Sequence, residues 1–512
     1  MSMKRYFQST TTGPNIVSNF LGRMWGAVLS LLFLPIYLKF LGIEAYGLVG
    51  IHLSLLGLIS VLDLGLSATL NRELAKMTSS GISATDSGDL IRTFEWIYWG
   101  SGIMVGLVLM VLAPWIAENW IRSQAVPPGT VRNAVAIMGL LIAIQWPSSL
   151  YIGGLMGIQR QVLLNAIQAF SATLQAVGAV LVLWLVSPTV EAYFFWQIIV
   201  ALLQTVTLRG FLMNALPPPL PAMSFRKELL SAHWKFSAGL TAITFLATIL
   251  TQADKVILSR LLPLKSFGYY VLSFNVASIL GFIVYPFFSA LFPKFSQLAH
   301  ECREQDVSSL YHTGAQFVSA FLLPAGLVLL LFPREILSLW LRDSGTAENA
   351  YRILRLLACA TVMNSPMVLP FCLQLAYGWT RLSLLKNIVA VALFLPTLFF
   401  ATSRWGAIGA AYLWIMLNLG YMVFEIPLMH ARLLTAQARH WYLQDVGLPT
   451  GISILVFGVS RYLFPDSLSP VPSLSWIIIT TLLASVLSLS AMARTRSWIL
   501  DRLSRVPHLP AL

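Results

Sequence analysis

The chain has 512 residues, of which 57% are hydrophobic and only 10% charged, against about 25% charged in soluble domains. That is too little charge to coat the roughly three or four soluble domains such a length would form, and the apolar residues come in long blocks, so the chain reads as an all-α polytopic membrane protein. A cytosolic enzyme, a disordered chain and a secreted disulfide scaffold are excluded. The net charge of +13 reads first as loop bias and second as an anion preference, ahead of nucleic-acid binding. Cys302, Cys359 and Cys372 are scattered without metal-ligand spacing, so neither a disulfide framework nor a metal site is expected.

A helix needs about 20 apolar residues to cross a bilayer. On that measure about fourteen spans are expected. Six lie near 15–38, 46–70, 94–116, 132–156, 162–186 and 191–212, and six more near 234–258, 267–292, 312–332, 352–376, 381–402 and 406–429. The last two lie near 446–464 and 473–492. Met1–Thr12 is short and polar, with no signal-peptide core. With the N-terminus cytoplasmic, the inner loops hold the larger share of the Lys and Arg, including Lys4, Arg5, Arg226, Lys227, Arg494 and Arg496. The C-terminus is then cytoplasmic too. Arg23 and Lys255 are the basic residues expected inside spans. The connections are short, no P-loop is present, and no large outer loop offers room for an enzyme. Transport without a resident ATPase is the class left standing. An ion gradient would drive it, at roughly 2.3 kcal/mol per charge per 100 mV.

Lys39–Gly47 (KFLGIEAYG) and Arg260–Gly268 (RLLPLKSFG) look like two copies of one hairpin, 221 residues apart from Lys39 to Arg260. Six spans separate them, so both copies point the same way. The expectation is two parallel six-helix lobes about an axis along the membrane normal, with substrate between them: an N-lobe over 1–215, a C-lobe over 216–435, and a C-terminal helix pair with a tail over 436–512.

Polar residues inside spans usually face a bundle interior or a wet cavity. Span one carries Asn15, Asn19, Arg23, Gly26 and Ser30 at helical spacing. Span seven carries Ser237, Thr241, Thr244, Thr248, Thr251 and Lys255. The two stripes are expected to face each other across a hydrated cavity, or else to join helices by hydrogen bonds. Arg23 sits on the order of 12 Å deep at 1.5 Å per residue, where an unpaired Arg costs about 3 kcal/mol or more. It either pairs with Asp63 or meets an anionic head group, for which a planar guanidinium is well shaped. His52 and Asp63 are expected on one face of span two, where a His beside a carboxylate is a proton-coupling candidate or a packing residue. Lys255 is an outer anion contact or a snorkelling interfacial Lys, with Asp254 expected to point about 100° away from it on a helix of 3.6 residues per turn. Glu425, one face with Asn418, is a candidate cation or proton site. Asn165, Gln168 and Gln175 suit sugar hydroxyls or packing. Pro35, Pro147, Pro286, Pro324, Pro366, Pro370 and Pro396 are expected to kink their helices.

The run LPIYLKFLGIEAYGLVG (Leu34–Gly50), followed by LDLGLSATLNRELAK (Leu62–Lys76), resembles the Wzx-type oligosaccharide flippases. These form the polysaccharide-transport branch of the MOP superfamily, which also holds MATE exporters and the MurJ lipid II flippase. The resemblance implies a V-shaped, two-lobed secondary transporter of the bacterial inner membrane. It implies a substrate: an undecaprenyl-diphosphate-linked oligosaccharide, moved from inner to outer leaflet for O-antigen or other surface polysaccharide. It also implies a cationic cavity, a lipid-tail groove at about 446–492, proton or sodium coupling, polysaccharide polymerase and chain-length partners, and no cofactor. On this reading the head group meets Arg23, Lys255, Asn15, Asn19, Thr244 and Thr248, while His52, Asp63, Asp254 and Glu425 are coupling or gating candidates. The alternatives are a MATE-like multidrug antiporter, which would want deep carboxylates, and a membrane-embedded polymerase or ligase, which would want a large outer loop.

Overall fold

The computed structural model describes residues 12–80, 84–215, 245–464 and 470–504. Of the expected site residues Thr244 lies outside them, as do Ser237 and Thr241 of the same stripe, and the side chain of Asn15 is not described. The described residues hold helices and one isolated bridge, Arg122 to Pro263, but no strand. That is the outcome hydrocarbon demands, because a helix satisfies its backbone polar groups within itself. Ten of these helices are long and apolar enough to span a membrane, or eleven if one bent pair counts as a span. Two of the ten are 46 and 54 residues long, about twice what a bilayer needs. Each of these contains a glycine where the helical path breaks, at Gly42 (φ 75°, ψ 165°) and Gly406 (φ 60°, ψ −143°). Both conformations have positive φ, which glycine adopts without the Cβ penalty.

The chain divides into two compact units, Met1–Gly268 and Tyr269–Leu512. The first holds α1 (Thr12–Ile59), a 3₁₀ turn (Ser60–Asp63), α2 (Leu66–Ser80), α3 (Ala84–Trp115), α4 (Pro128–Gln145) and α5 (Ser148–Gly157). It continues through α6 (Gln161–Leu185), α7 (Val190–Asn214) and α8 (245–261) to the start of α9 (Leu264–Ser278). Its core joins Phe94 and Tyr98 of α3, Ile142 of α4, Tyr151 of α5 and Leu208 and Leu212 of α7.

The second unit holds the rest of α9, then α10 (Leu280–His300), α11 (Glu304–Leu331), the short amphipathic α12 (Pro333–Leu341), α13 (Ser344–Asn364), α14 (Val368–Ala376) and α15 (Thr380–Gly420). A π-helical turn at Tyr421–Glu425 leads into α16 (Ile426–Leu433), and another at Trp441–Gly447 leads into α17 (Leu448–Leu463). The chain ends in α18 (Pro470–Ala491) and α19 (Ala493–Ser504). Phe332, Phe457, Ile477 and Ala484 form a buried cluster joining the end of α11 to α17 and α18. In both units large apolar side chains stay exposed, among them Val111, Trp184, Phe424 and Ile479, as a lipid-facing surface requires.

The prolines divide into two kinds. Pro35, Pro286, Pro324 and Pro396 lie inside continuous helices. Pro147 lies at the break between α4 and α5, and Pro366 in the 3₁₀ turn between α13 and α14.

Within the first unit the two hairpin copies touch. A Cβ added to Gly47 would lie 2.9 Å from the Leu264 carbonyl oxygen, and one added to Gly268 would strike the Ile43 carbonyl oxygen. The 221-residue offset carries Ile43 onto Leu264 and Gly47 onto Gly268. The two contacts are therefore one contact with the copies exchanged, the mark of a local two-fold relation. Only glycine admits this approach, because the obstacle is backbone. Gly47→Ala and Gly268→Ala are each expected to destabilise the protein by about 1–3 kcal/mol, read as a lower unfolding temperature in detergent. Gly100→Ala, with nothing within 4 Å of its new methyl, should leave that temperature unchanged. Equal temperatures for all three variants would contradict the close approach.

Candidate functional site

The polar face of α1 is divided in use. Asn19 accepts a hydrogen bond from Asn165 Nδ2 of α6 at 2.6 Å, and Trp25 Nε1 donates to Thr173 of the same helix at 2.8 Å. Asn165 also donates to the Gln161 carbonyl. Asn19, expected to face the seventh span, thus joins α1 to α6, and the hydrogen-bonding role of the stripe applies there. Arg23, one turn on, is exposed. The seventh span meets the other limb of α1, where a Cβ on Gly57 would lie 2.6 Å from the Gln252 carboxamide carbon of α8. Trp120 Nε1 also donates to Ser259 of α8 at 3.0 Å.

Asp63 accepts hydrogen bonds from Tyr98 Oη of α3 and from Ser67 Oγ, the latter at 3.0 Å. The bonds found for this carboxylate go to hydroxyls on neighbouring helices and not to Arg23. His52 is buried with its ring edge against Phe194 of α7, centroids 5.6 Å apart, and its Nδ1 has no hydrogen-bond partner. The shared face expected for His52 and Asp63 is lost because the helix tightens into a 3₁₀ turn at Ser60. At three residues per turn the register rotates, and the two side chains meet different helices.

Lys255 and Asp254 are both buried on α8. The Lys255 ammonium lies 3.2 Å from Asp254 Oδ1 and donates to the Thr251 carbonyl at 2.8 Å. Asp254, expected to point away, pairs with its neighbour, because a flexible four-carbon stem reaches what helical spacing alone would deny. Thr248 is buried beside them, and Thr251 Oγ donates back to the Ala247 carbonyl.

In the second unit Glu425, expected as an open cation site, already holds a cation. Lys386 Nζ of α15 lies 2.6 and 2.7 Å from its two oxygens, and Gln374 Nε2 donates to it at 3.0 Å. Ser383 in turn fixes the Gln374 carbonyl at 3.0 Å, and the Lys386 ammonium lies 4.7 Å from the centre of the Tyr421 ring. Asn418 accepts from Asn364 Nδ2 at 2.7 Å, one face further along the same helix.

Two basic residues near the ends of expected spans lie inside helices with buried acidic partners, Lys386 in α15 and Arg209 in α7. Arg209 Nε donates to the buried Glu95 of α3 at 2.7 Å, Tyr151 Oη donates to the same carboxylate at 2.8 Å, and Arg92 Nη1 reaches it at 3.1 Å. Three donors offset the desolvation of one carboxylate, where a single partner would leave it costly. The signal for this network is in the sequence, as Arg92 and Glu95 stand three apart at the start of an apolar run. A groove of about 760 Å³ in the first unit is lined by Thr130, Asn133, Glu191 and Phe195 among others. None of the expected site residues borders it.

These features describe a membrane bundle whose polar groups serve helix contacts and a few buried ion pairs. The comparisons with known proteins agree. A protein of Shigella flexneri named as an O-antigen transporter is 20% identical over 409 residues, covering 78% of this chain and 94% of its own. The lipid II flippase MurJ in an inward closed conformation superposes with a TM-score of 0.66 at 13% identity, over 96% of this chain and 99% of its own. An inward-facing MATE multidrug resistance transporter of the MOP superfamily superposes with a TM-score of 0.64 at 12% identity, over 79% and 95%. Both structural likenesses establish the fold. The profile of the family described as "Polysaccharide biosynthesis protein" matches residues 13–299, more than half of the chain. This multi-pass membrane protein therefore belongs to the polysaccharide biosynthesis protein family and has the fold of the MOP transporters.

Proposed function

We propose that this protein carries an undecaprenyl-diphosphate-linked oligosaccharide from the inner to the outer leaflet of a bacterial cytoplasmic membrane. It does so as an ion-coupled, alternating-access flippase with both termini cytoplasmic. The observation that carries this reading is Arg23, a guanidinium exposed on the polar face of a membrane-spanning helix in a chain of the polysaccharide biosynthesis family. A diphosphate with several sugars cannot cross about 30 Å of hydrocarbon unaided, whereas its polyprenyl tail dissolves in it. The protein has only to provide a wet path for the head while the tail stays in lipid, and no bond is made or broken.

In this scheme the lobes are 1–215 and 216–435, and the C-terminal pair within 436–512 guides the tail, fourteen crossings in all. Arg23 meets the phosphates, and Asn15, Asn19, Thr244 and Thr248 contribute hydrogen bonds. Lys255 joins them when Asp254 releases it. His52, Asp63 and Glu425 are the coupling and gating groups. The name of the Shigella flexneri relative supports a glycan as cargo, and a polymerase and a chain-length regulator are the partners such a cargo implies.

Arg23→Ala should lower surface-glycan export at least tenfold, with the protein inserted at normal abundance, and Arg23→Lys should retain part of it. Normal surface glycan from Arg23→Ala would remove this residue from the head-group site. Export of cationic dyes by the wild-type protein would favour a multidrug antiporter instead.

The Lys386–Glu425 pair separates gating from scaffolding. Breaking a buried pair on one side costs about 3–5 kcal/mol, whereas an apolar replacement of both partners is often neutral. Glu425→Gln should therefore reduce protein abundance. The double variant Lys386→Met/Glu425→Leu should restore abundance yet not export. Wild-type export by the double variant would make the pair a scaffold only.

A further inference from the structure

In the second unit, helix α11 and the π-helical turn before α17 bring together three side chains that the transport reading does not use. His312 and Asp445 are fully buried, and His440 lies at the edge of the same cluster. Their ligand atoms all lie within 4.8 Å of one another. His312 Nδ1 contacts Asp445 Oδ2, and His440 Nε2 is 3.7 Å from Asp445 Oδ1. The π turn makes this possible. His440 and Asp445 are five residues apart, a spacing that puts side chains on different faces of an α-helix of 3.6 residues per turn. Widening the turn to i→i+5 brings them to one side.

The hydrogen bonds around the cluster orient its ligand atoms. Gln437 Oε1 lies 2.6 Å from His312 Nε2 and also accepts from Ser308 Oγ at 2.7 Å. A carboxamide oxygen only accepts, so Nε2 donates to Gln437 and Nδ1 is the ring nitrogen that faces Asp445. Gln316 Nε2 donates to the other Asp445 oxygen at 2.9 Å. An imidazole nitrogen and a carboxylate oxygen thus converge on one point. The third imidazole nitrogen, His440 Nε2, is buried and has no hydrogen-bond partner. A proton between His312 and Asp445 would settle those two groups and leave His440 unsatisfied, which is costly for a buried polar atom. One cation bound by all three satisfies the set.

We propose that His312 Nδ1, His440 Nε2 and an Asp445 oxygen bind a divalent transition-metal ion of the Zn²⁺ type. Two imidazoles and a carboxylate suit Zn²⁺ and its neighbours, not Mg²⁺ or Ca²⁺, which take oxygen ligands. The separation of His440 and Asp445 is close to the roughly 3.4 Å edge of a tetrahedron with bonds of about 2.1 Å. His312 and Asp445 must separate slightly to admit the ion. Gln437 and Gln316 hold the ligands from behind, as outer-shell partners do. A cavity of about 410 Å³, lined by Glu304, Gln305, Ser308, Ser309, Gln437 and Arg494, reaches Ser308 and Gln437, the residues bonded behind His312. The ion ties α11 to the start of α17, and so fastens the C-terminal helix pair at its first residues. Sequence spacing hides the site, because His312 is 128 residues from His440.

Purified full-length protein in detergent, stripped with a chelator, is titrated with ZnCl₂ against a chromophoric competitor. The wild type should take up one Zn²⁺ per chain and unfold at a higher temperature with the ion present. His440→Ala keeps both buried members of the cluster, and should bind at least tenfold more weakly and lose the thermal shift. Gln437→Ala should weaken binding roughly 10- to 100-fold. Co²⁺ should give tetrahedral visible absorption in the wild type and not in His440→Ala. Binding that is equal in the wild type and His440→Ala, or absent from the wild type, overturns the site. The measurement needs no transport, so its result is independent of the flippase reading.

Discussion

A charge inside hydrocarbon must be compensated where it sits, because water cannot reach it. Several of the carboxylate networks described above follow from this. Glu95 collects two guanidiniums and a phenol, Asp63 two hydroxyls, Asp254 its neighbouring ammonium, and Glu425 an ammonium and a carboxamide. The compensation fixes helix to helix: Glu95 binds α3 to α5 and α7, and Glu425 joins the chain after α15 back to α14 and to α15 itself. Arg23 is exposed on its helix, and the proposed recognition of a passing anion would use it there.

Packing supplies the second constraint. At Gly47 and Gly268 the missing side chain lets backbone approach backbone, and the two contacts repeat each other under the 221-residue offset. The same device recurs at Gly106 and Gly139, each of which would meet the other's carbonyl oxygen with an added Cβ, at 2.7 and 2.6 Å. Small residues are the usual means of bringing membrane helices together where no hydrophobic force acts between them.

The helices were legible in the sequence because hydropathy is a direct record of the lipid surroundings. The hairpin copies were legible because KFLGIEAYG and RLLPLKSFG keep their glycine in register, and the structure shows that glycine in use. Side-chain partners were harder to read. Helical spacing placed Asp254 away from Lys255, yet a long side chain curls back along its own helix. It placed His52 and Asp63 together, yet one 3₁₀ turn separates them. Lys386 and Arg209 stand near span ends, where spacing does not reveal the buried acidic partners that both have in the structure. His312, His440 and Asp445 meet only through a π turn, which leaves no periodicity to find.

The proposed transport comes down to a path for a head group that a membrane cannot dissolve. The direct measurement is leaflet transfer in proteoliposomes containing only the purified protein and a fluorescent undecaprenyl-diphosphate oligosaccharide, followed by a reagent that quenches the outer leaflet. The protein should accelerate transfer well above protein-free vesicles, and an imposed ion gradient should change the rate. Transfer no faster than in protein-free vesicles, from protein that is folded and correctly inserted, would contradict the proposed transport.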